Sequence, residues 1–420
     1  MDYRIFPPDE ILETTVSLPL SKSVAARVIV LSALTPGGPC PDPAAMPDCV
    51  DTRVLLTATE CTASEVSAHA SGTAMRFLTA FFAARPGASV TLTGGERLSA
   101  RPVAPLVDAL RSMGADITYA AEEGRLPLVI NGRRLRGGRV RLDASASSQF
   151  ASALAMIGPL CEEGLDIDLG GEIASMPYLR MTLRMMQARG IDADIEGYTV
   201  RVPAGEYRPV AAECERDWSA ASYWYEIAAV TAGWVTLQGM TGHSLQGDSV
   251  LARIGDRFGV LTEFTDEGAE LSATPDLYSR LDMDMADYPD LVPALAVTAA
   301  LIGLPFRFTG IENLRHKECD RIEVLAAGLR ALGCVVETGP GMLGWEGARE
   351  PLTALPRIET HDDHRIAMAF APAAVFIPGI VIADGDVVDK SYPAYWDDLR
   401  RAGFTLTDAA VPLPEAEEQV

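Results

Sequence analysis

The chain has 420 residues, with 58 Asp and Glu against 35 Lys and Arg, a net charge of −23, 48% hydrophobic residues and 7% aromatic ones. That length exceeds what one core supports and predicts two domains, while the negative field excludes nucleic acid and anionic membrane surfaces as partners. Seven scattered cysteines without a C-x-x-C pair point to reduced thiols in a cytoplasmic protein, not to a disulfide framework or zinc site, and no window approaches the apolar length of a membrane span.

In chain order, the opening "MDYRIFPPDE" has no basic region followed by an apolar run and does not read as a signal peptide. Six Ala-rich apolar helices are then predicted, each led by small or polar residues. They are "SKSVAARVIVLSAL", "SGTAMRFLTAFFAA", "SSQFASALAMIGPL", "WSAASYWYEIAAV", "YPDLVPALAVTAAL" and "HDDHRIAMAFAPAA", starting near residues 21, 71, 147, 218, 288 and 361. Apolar nearly all round, these helices are expected to be buried. A second series alternates with them: "LRSMGADI", "MQARGIDA", "GDRFGVLT", "LRALGCVV" and "LRRAGFTL". Each reads as a helix, a glycine and a strand, and the glycines (114, 190, 259, 333, 403) are spaced by 76, 69, 74 and 70 residues. Glycine there suits a left-handed helix C-cap. A unit of about 70 residues is too long for the usual solenoid repeat. It predicts six α/β subunits, three per domain, with helices inside and sheets outside. The first interval is shorter because its unit lacks part of its strand content or straddles a domain boundary.

Lysine is confined to Lys22, Lys317 and Lys390, so 32 of the 35 basic residues are arginine. Lys22 opens a buried helix, whose N-terminus presents free N–H groups and the positive end of the dipole to an anion. Ser23 and Arg27 follow, four apart and on one face. Gly72 and Arg76 in "SGTAMR" repeat the arrangement, and Ser147, Ser148 and Gln149 add neutral donors. Taken singly, each stretch reads better as an ordinary helix cap, with Arg27 as a surface arginine behind the first. "RHKECDR" brings Lys317, Glu318 and Arg321 to another helix start. In "HDDHR" two carboxylates and two histidines crowd one helix start in a geometry unsuited to a metal, so no metal is expected.

Nine segments occur in order from residue 20 to 396: "LSKSVAAR", "SGTAMR", "RLSARP", "SSQF", "SMPYLRMTL", "MDMADYPD", "RHKECDR", "HDDHR" and "VVDKSYPAYW". Together they resemble the successive motifs of the 5-enolpyruvylshikimate-3-phosphate synthase family of enolpyruvyl transferases. The resemblance implies a two-domain inside-out α/β barrel of six βαβαββ-type subunits. Residues 1–19 plus 216–420 would form a discontinuous first domain and residues 20–215 an inserted second one, with the active site in the cleft between them. It implies transfer of the enolpyruvyl group of phosphoenolpyruvate to the 5-hydroxyl of shikimate 3-phosphate, releasing phosphate, without cofactor, in a cytoplasmic monomer.

Carried over by motif, Lys22, Ser23, Arg27, Ser147, Ser148, Gln149, Ser175, Tyr178, Asp290, Asn313 and Lys317 would surround shikimate 3-phosphate. Lys22, Gly72, Arg101, Gln149, Arg321, Arg365 and Lys390 would surround phosphoenolpyruvate. Asp290 is expected as base toward the 5-hydroxyl, Glu318 as proton donor to the methylene carbon, and Lys22 as acid or electrostatic partner of the departing phosphate. An ammonium can donate its proton where a guanidinium effectively cannot, which explains three lysines among so many arginines.

Ala70 and Ser71 stand where the family commonly has Asn-Ala, Phe77 where proline is usual, Ala25 and Ala26 where polar residues are, and Cys319 where Thr or Ser is. Phe77 is expected to shift the start of its helix, and sensitivity to the inhibitor glyphosate does not follow from Gly72 alone. Three other readings compete. The sister reaction on UDP-N-acetylglucosamine is disfavoured by Lys22-Ser23 and the Ser147-Ser148-Gln149 set. A non-catalytic binding protein is disfavoured by the joint presence of Lys22, Asp290, Glu318 and Lys390. An RNA 3′-phosphate cyclase fold is disfavoured by charge. The acidic tail beyond the last strand is expected to be disordered.

Overall fold

The computed structural model describes residues 1–143, 147–171, 175–211 and 213–411; the tail from residue 412 on lies outside them. The chain divides into two compact units. The terminal unit comprises Met1–Pro19, Asp217–His243 and Asp248–Val420, and the inserted unit comprises Leu20–Arg216 with Ser244–Gly247. Each has its own hydrophobic core. Among the described residues no helix is long and apolar enough to cross a membrane.

One supersecondary unit, βαβαββ, recurs. In the inserted unit it runs from strand Glu65–Ser67 through helix Gly72–Ala83, strand Ser89–Thr93 and helix Ala104–Ser112 to strands Asp116–Tyr119 and Leu128–Asn131. The first two strands pair in parallel and the last two form a hairpin whose second strand is antiparallel to the second strand of the set. The same order recurs in Gly138–Arg141, Leu165–Asp168, Asp194–Glu196 and Thr199–Val202. In the terminal unit it recurs in Leu281–Asp284, Phe306–Thr309, Cys334–Gly339 and Met342–Arg349.

Two further copies are completed by the N-terminus. Glu13–Val16 is the first strand of the sheet containing Trp234–Gln238, Val260–Phe264 and Gly268–Ala273. Tyr3–Phe6 is the last strand of the sheet containing Arg357–Ile358, Ile380–Ile382 and Thr405–Asp408. Tyr3–Phe6 has hydrogen-bonded strands on both sides, which leaves it few alternative registers, whereas Glu13–Val16 pairs with Trp234–Gln238 at the edge of its sheet.

Five such sheets are present among the described residues, not the six expected. The first repeat, from Leu20 to Ser64, keeps its two helices, Lys22–Leu34 and Val50–Glu60, but has no strand beyond an isolated bridge of Leu20 to Arg216. Five prolines between them (36, 39, 41, 43 and 47) explain the loss, because each removes a ladder N–H and fixes φ.

The leading helix of each unit is buried as its composition dictates. Every residue of Val292–Leu301 is buried, and all of His364–Phe370. The five spaced glycines all have positive φ, between 82° and 95°. At Gly333 a Cβ would also lie 2.5 Å from the carbonyl oxygen of Glu350, so both conformation and space require glycine.

The chain enters the inserted unit at Leu20 and leaves it at Arg216, one residue beyond the expected boundary, because the Ser21 N–H donates to the Glu215 carbonyl (2.8 Å). Residues 244–247 belong to the inserted unit although residues 216–420 were expected to stay together. The Glu215 carboxylate draws them in: it accepts from the Leu245 N–H (2.8 Å), Gln246 Nε2 (3.0 Å) and the Ser244 hydroxyl.

Candidate active site

In the inserted unit, four helix N-termini carry the expected anion-binding residues. Lys22 is the first residue of Lys22–Leu34, capped by Ser21. One turn on, Arg27 is only 2% exposed, so the surface-arginine alternative fails. Its Nε donates to Thr182 Oγ1 (2.7 Å), Nη1 to the Ser23 carbonyl (2.7 Å), and Nη2 to Ser152 Oγ (3.4 Å) and the Tyr178 carbonyl (3.1 Å). Burial pushes the guanidinium down to about 10. Its carbon lies 5.5 Å from the centre of the Phe77 ring, at the edge of cation–π range. Phe77 does not displace its helix, which begins at Gly72 with Ser71 as cap.

Around Gly72 two more guanidinium groups close in: a Cβ there would meet Arg76 Nη1 at 2.9 Å and Arg101 Nη1 at 3.0 Å. Arg76 Nη1 donates to Gln149 Oε1 (2.7 Å), and Gln149 Nε2 donates to Thr73 Oγ1 (3.0 Å). The amide of Gln149 thus ties the start of Ser148–Ile157, capped by Ser147, to the start of Gly72–Ala83. Ser148 is buried. Ser175 caps Met176–Ala188 in a left-handed conformation (φ 62°), and Tyr178 follows in the first turn, its carbonyl engaged by Arg27.

In the terminal unit the expected residues form a second cluster, built round Arg321, which is 1% exposed. Its Nε donates to Asp363 Oδ2 (2.7 Å), Nη2 to Glu318 Oε2 (2.7 Å) and Nη1 to Asp290 Oδ1 (3.4 Å). Burial alone would lower its pKa, but Asp363, Glu318 and Asp290 outweigh that and raise it. Asp290 also faces Arg365 Nη2 at 3.0 Å and Lys317 Nζ at 3.9 Å. Burial, opposed by Asp290, pushes the Lys317 ammonium below the usual lysine value.

Asp363 is the N-cap of His364–Phe370 as well as the partner of Arg321, accepting from the Arg365 N–H at 3.0 Å. Lys390 donates to the Asp362 carbonyl (2.6 Å), which joins the last motif to this cluster. Asn313 lies on the turn Glu312–His316, and its Oδ1 is buried without a hydrogen-bond partner among the described residues. Cys319 donates weakly to Asp363 Oδ2 (3.6 Å), and burial pushes its thiol up to about 12, so it is no nucleophile.

Sequence reasoning missed Thr182 and Ser152, the partners of Arg27. It also read Asp363 only as an unlikely metal ligand. Thr182 stands four residues after Tyr178, on one face of a helix, which was the available signal. Ser152 and Asp363 gave none beyond their small polar side chains.

Buried cations at helix N-termini, with carboxylates held among them, make a mixed α/β protein equipped for small phosphorylated and carboxylated molecules. The family model for EPSP synthase (3-phosphoshikimate 1-carboxyvinyltransferase) matches residues 53–399. A 3-phosphoshikimate 1-carboxyvinyltransferase of Bacteroides fragilis is 44% identical over 409 residues, covering 97% of this chain and 99% of its own. One of Methanospirillum hungatei is 38% identical over 344 residues, 80% of this chain and 79% of its own. A solved EPSP synthase of Acinetobacter baumannii shares the fold with a TM-score of 0.76 at 23% identity, covering 97% of this chain and 100% of its own. The chain belongs to the EPSP synthase family and is an enzyme, a carboxyvinyltransferase.

Proposed function

We propose that the enzyme transfers the enolpyruvyl group of phosphoenolpyruvate to the 5-hydroxyl of shikimate 3-phosphate, giving 5-enolpyruvylshikimate 3-phosphate and phosphate on the route to aromatic amino acids. The observation that carries the reading is the Arg321 cluster, in which one buried guanidinium holds two carboxylates suited to proton transfer, Asp290 and Glu318, beside Lys317 and Arg365. Family membership supports the same reaction.

The acceptor hydroxyl attacks C2 of phosphoenolpyruvate while C3 gains a proton, forming a tetrahedral ketal. Phosphate then leaves as C3 loses a proton. Asp290 takes the hydroxyl proton and Glu318 serves C3. Fixed by Arg321, both carboxylates meet the reacting atoms without reorganising, which is where such sites gain rate. Lys22, with its proton to give, accompanies the departing phosphate. Ser23, Arg27, Ser147, Ser148, Gln149, Ser175, Tyr178, Asn313 and Lys317 hold shikimate 3-phosphate. Gly72, Arg101, Gln149, Arg321, Arg365 and Lys390 hold phosphoenolpyruvate, the arginine forks suiting its carboxylate and phosphate.

The two units correspond to the discontinuous domains of this reading. The five complete repeats and the helical sixth form an inside-out arrangement of helices within sheets, in a cytoplasmic monomer. The test is phosphate release from phosphoenolpyruvate with shikimate 3-phosphate, beside a parallel reaction with UDP-N-acetylglucosamine. Release with the first acceptor alone supports the reading; release with the second alone, or with neither, overturns it.

A further inference from the structure

Arg76 lies one turn into Gly72–Ala83, where the sequence suggested a second anion-binding arginine, yet the reading above assigns it to neither substrate. Its Nη1 gives both protons to the protein, one to the Gly72 carbonyl (3.1 Å) and one to Gln149 Oε1 (2.7 Å). The guanidinium carbon stands 5.1 Å from the centre of the Phe150 ring, which is fully buried. Arg76 is thus held between its own helix and the start of Ser148–Ile157. A guanidinium only donates, so the atom it meets on Gln149 has to be the carbonyl oxygen, and that fixes the sense of the whole carboxamide. The amide nitrogen turns the other way, giving one proton to Thr73 Oγ1 (3.0 Å) and keeping the second for a ligand. It does so at the start of the Gly72 helix, where a Cβ on Gly72 would meet Arg101 Nη1 at 3.0 Å. Turned over, the same carboxamide would present its oxygen to an anionic ligand and repel it.

We propose that Arg76 is a positioning residue: by occupying the Gln149 oxygen, it commits that carboxamide to act as a hydrogen-bond donor toward phosphoenolpyruvate. The inference rests on the reading of Gln149 as a phosphoenolpyruvate-binding residue. Two jobs are open to a cation in this place, and they differ in a measurable way. As an anion ligand Arg76 would contribute independently; as a positioning residue it contributes only through Gln149.

The test is a double-variant cycle on the full enzyme: Arg76→Met, Gln149→Ala and the two combined, with the KM for phosphoenolpyruvate and kcat measured at saturating shikimate 3-phosphate. Each single variant is expected to raise KM about tenfold, the effect of losing one hydrogen bond to a charged ligand, with kcat changed less than about threefold. The combined variant is expected to lie within about twofold of Gln149→Ala. Effects that multiply to about a hundredfold would show Arg76 acting independently and overturn the proposal. Gln149→Glu tests the sense of the carboxamide without touching Arg76, since it keeps an acceptor for the guanidinium but has no proton to donate. Its KM should rise at least as far as that of Gln149→Ala while its Tm stays at or above the native value. A native KM, or a Tm as low as that of Gln149→Ala, overturns the proposal too.

Thermal unfolding of the same four proteins gives an arm independent of turnover. Arg76 and Gln149 share one bond, so the Tm losses of the single variants should overlap and the combined variant should lose less than their sum. Absence of turnover with shikimate 3-phosphate in the native enzyme would count against the reaction, leaving this arm to decide on Arg76: additive Tm losses then overturn its hold on Gln149.

Discussion

Arg321 and Asp363 meet at 2.7 Å, Nε to Oδ2, with their side chains 1% and 0% exposed. The pair joins two helix starts, since Arg321 is the first residue of Arg321–Ala331 and Asp363 caps His364–Phe370. Buried charge of this kind is tolerated only when it is paired, and the cost of breaking the pair exceeds the worth of the pair itself.

Replacing Asp363 by Ala therefore leaves Arg321 leaning on Glu318 and Asp290 alone and removes a helix cap at the same time. A loss of about 3–5 kcal/mol is expected, together with loss of turnover. Urea unfolding of the variant measures it, and a change below about 1 kcal/mol would show that the cluster relaxes around the gap.

Lys22→Arg keeps the positive charge at the start of its helix and should fold as the native chain does. Turnover should drop by at least about a hundredfold, because the guanidinium cannot surrender a proton to the leaving phosphate. Steady-state kinetics beside a circular dichroism melt separates the two effects; near-native activity would sink the role given to Lys22.

Gly72→Ala places a methyl group within 3.0 Å of Arg76 Nη1 and Arg101 Nη1. Both are ends of flexible side chains, so the fold should persist while the guanidinium groups are displaced. The KM for phosphoenolpyruvate is expected to rise about tenfold, roughly 1.4 kcal/mol, with a smaller effect on shikimate 3-phosphate. Equal effects on both substrates would argue against Gly72 as part of the donor site.

Glu226 lies on Trp218–Thr231 with 0% exposure, and neither carboxylate oxygen has a hydrogen-bond partner among the described residues. Burial raises its pKa well above the usual value. The stability tied to its neutral form is fully present below about pH 4.3 and is lost as pH rises toward the folded value. Glu226→Gln removes that dependence, so its Tm should gain on the native protein as pH rises from about 5 to about 8. Parallel Tm curves would show that Glu226 is not held neutral.

Read alone, the sequence determined what is local. Helix starts at Ser21, Ser71, Ser147, Asp217 and Asp363 follow from small polar residues ahead of apolar runs. The five glycines follow from left-handed caps, and the order of nine short motifs is enough to identify the family. Each of these depends on backbone conformation within one turn or on residue identity at a fixed place.

What the tertiary structure decided is which distant groups share a buried space. Tyr3–Phe6 completes a sheet with Ile380–Ile382, Thr182 and Ser152 satisfy Arg27, and Asp363 neutralises Arg321. The first repeat, whose short interval pointed to missing strand content or a domain boundary, proved to have no sheet of its own among the described residues. Helical periodicity records which face turns inward but not what it meets there. The partners of a buried charge are set by the need to pay for its desolvation, and that need appears only once the chain has folded around it.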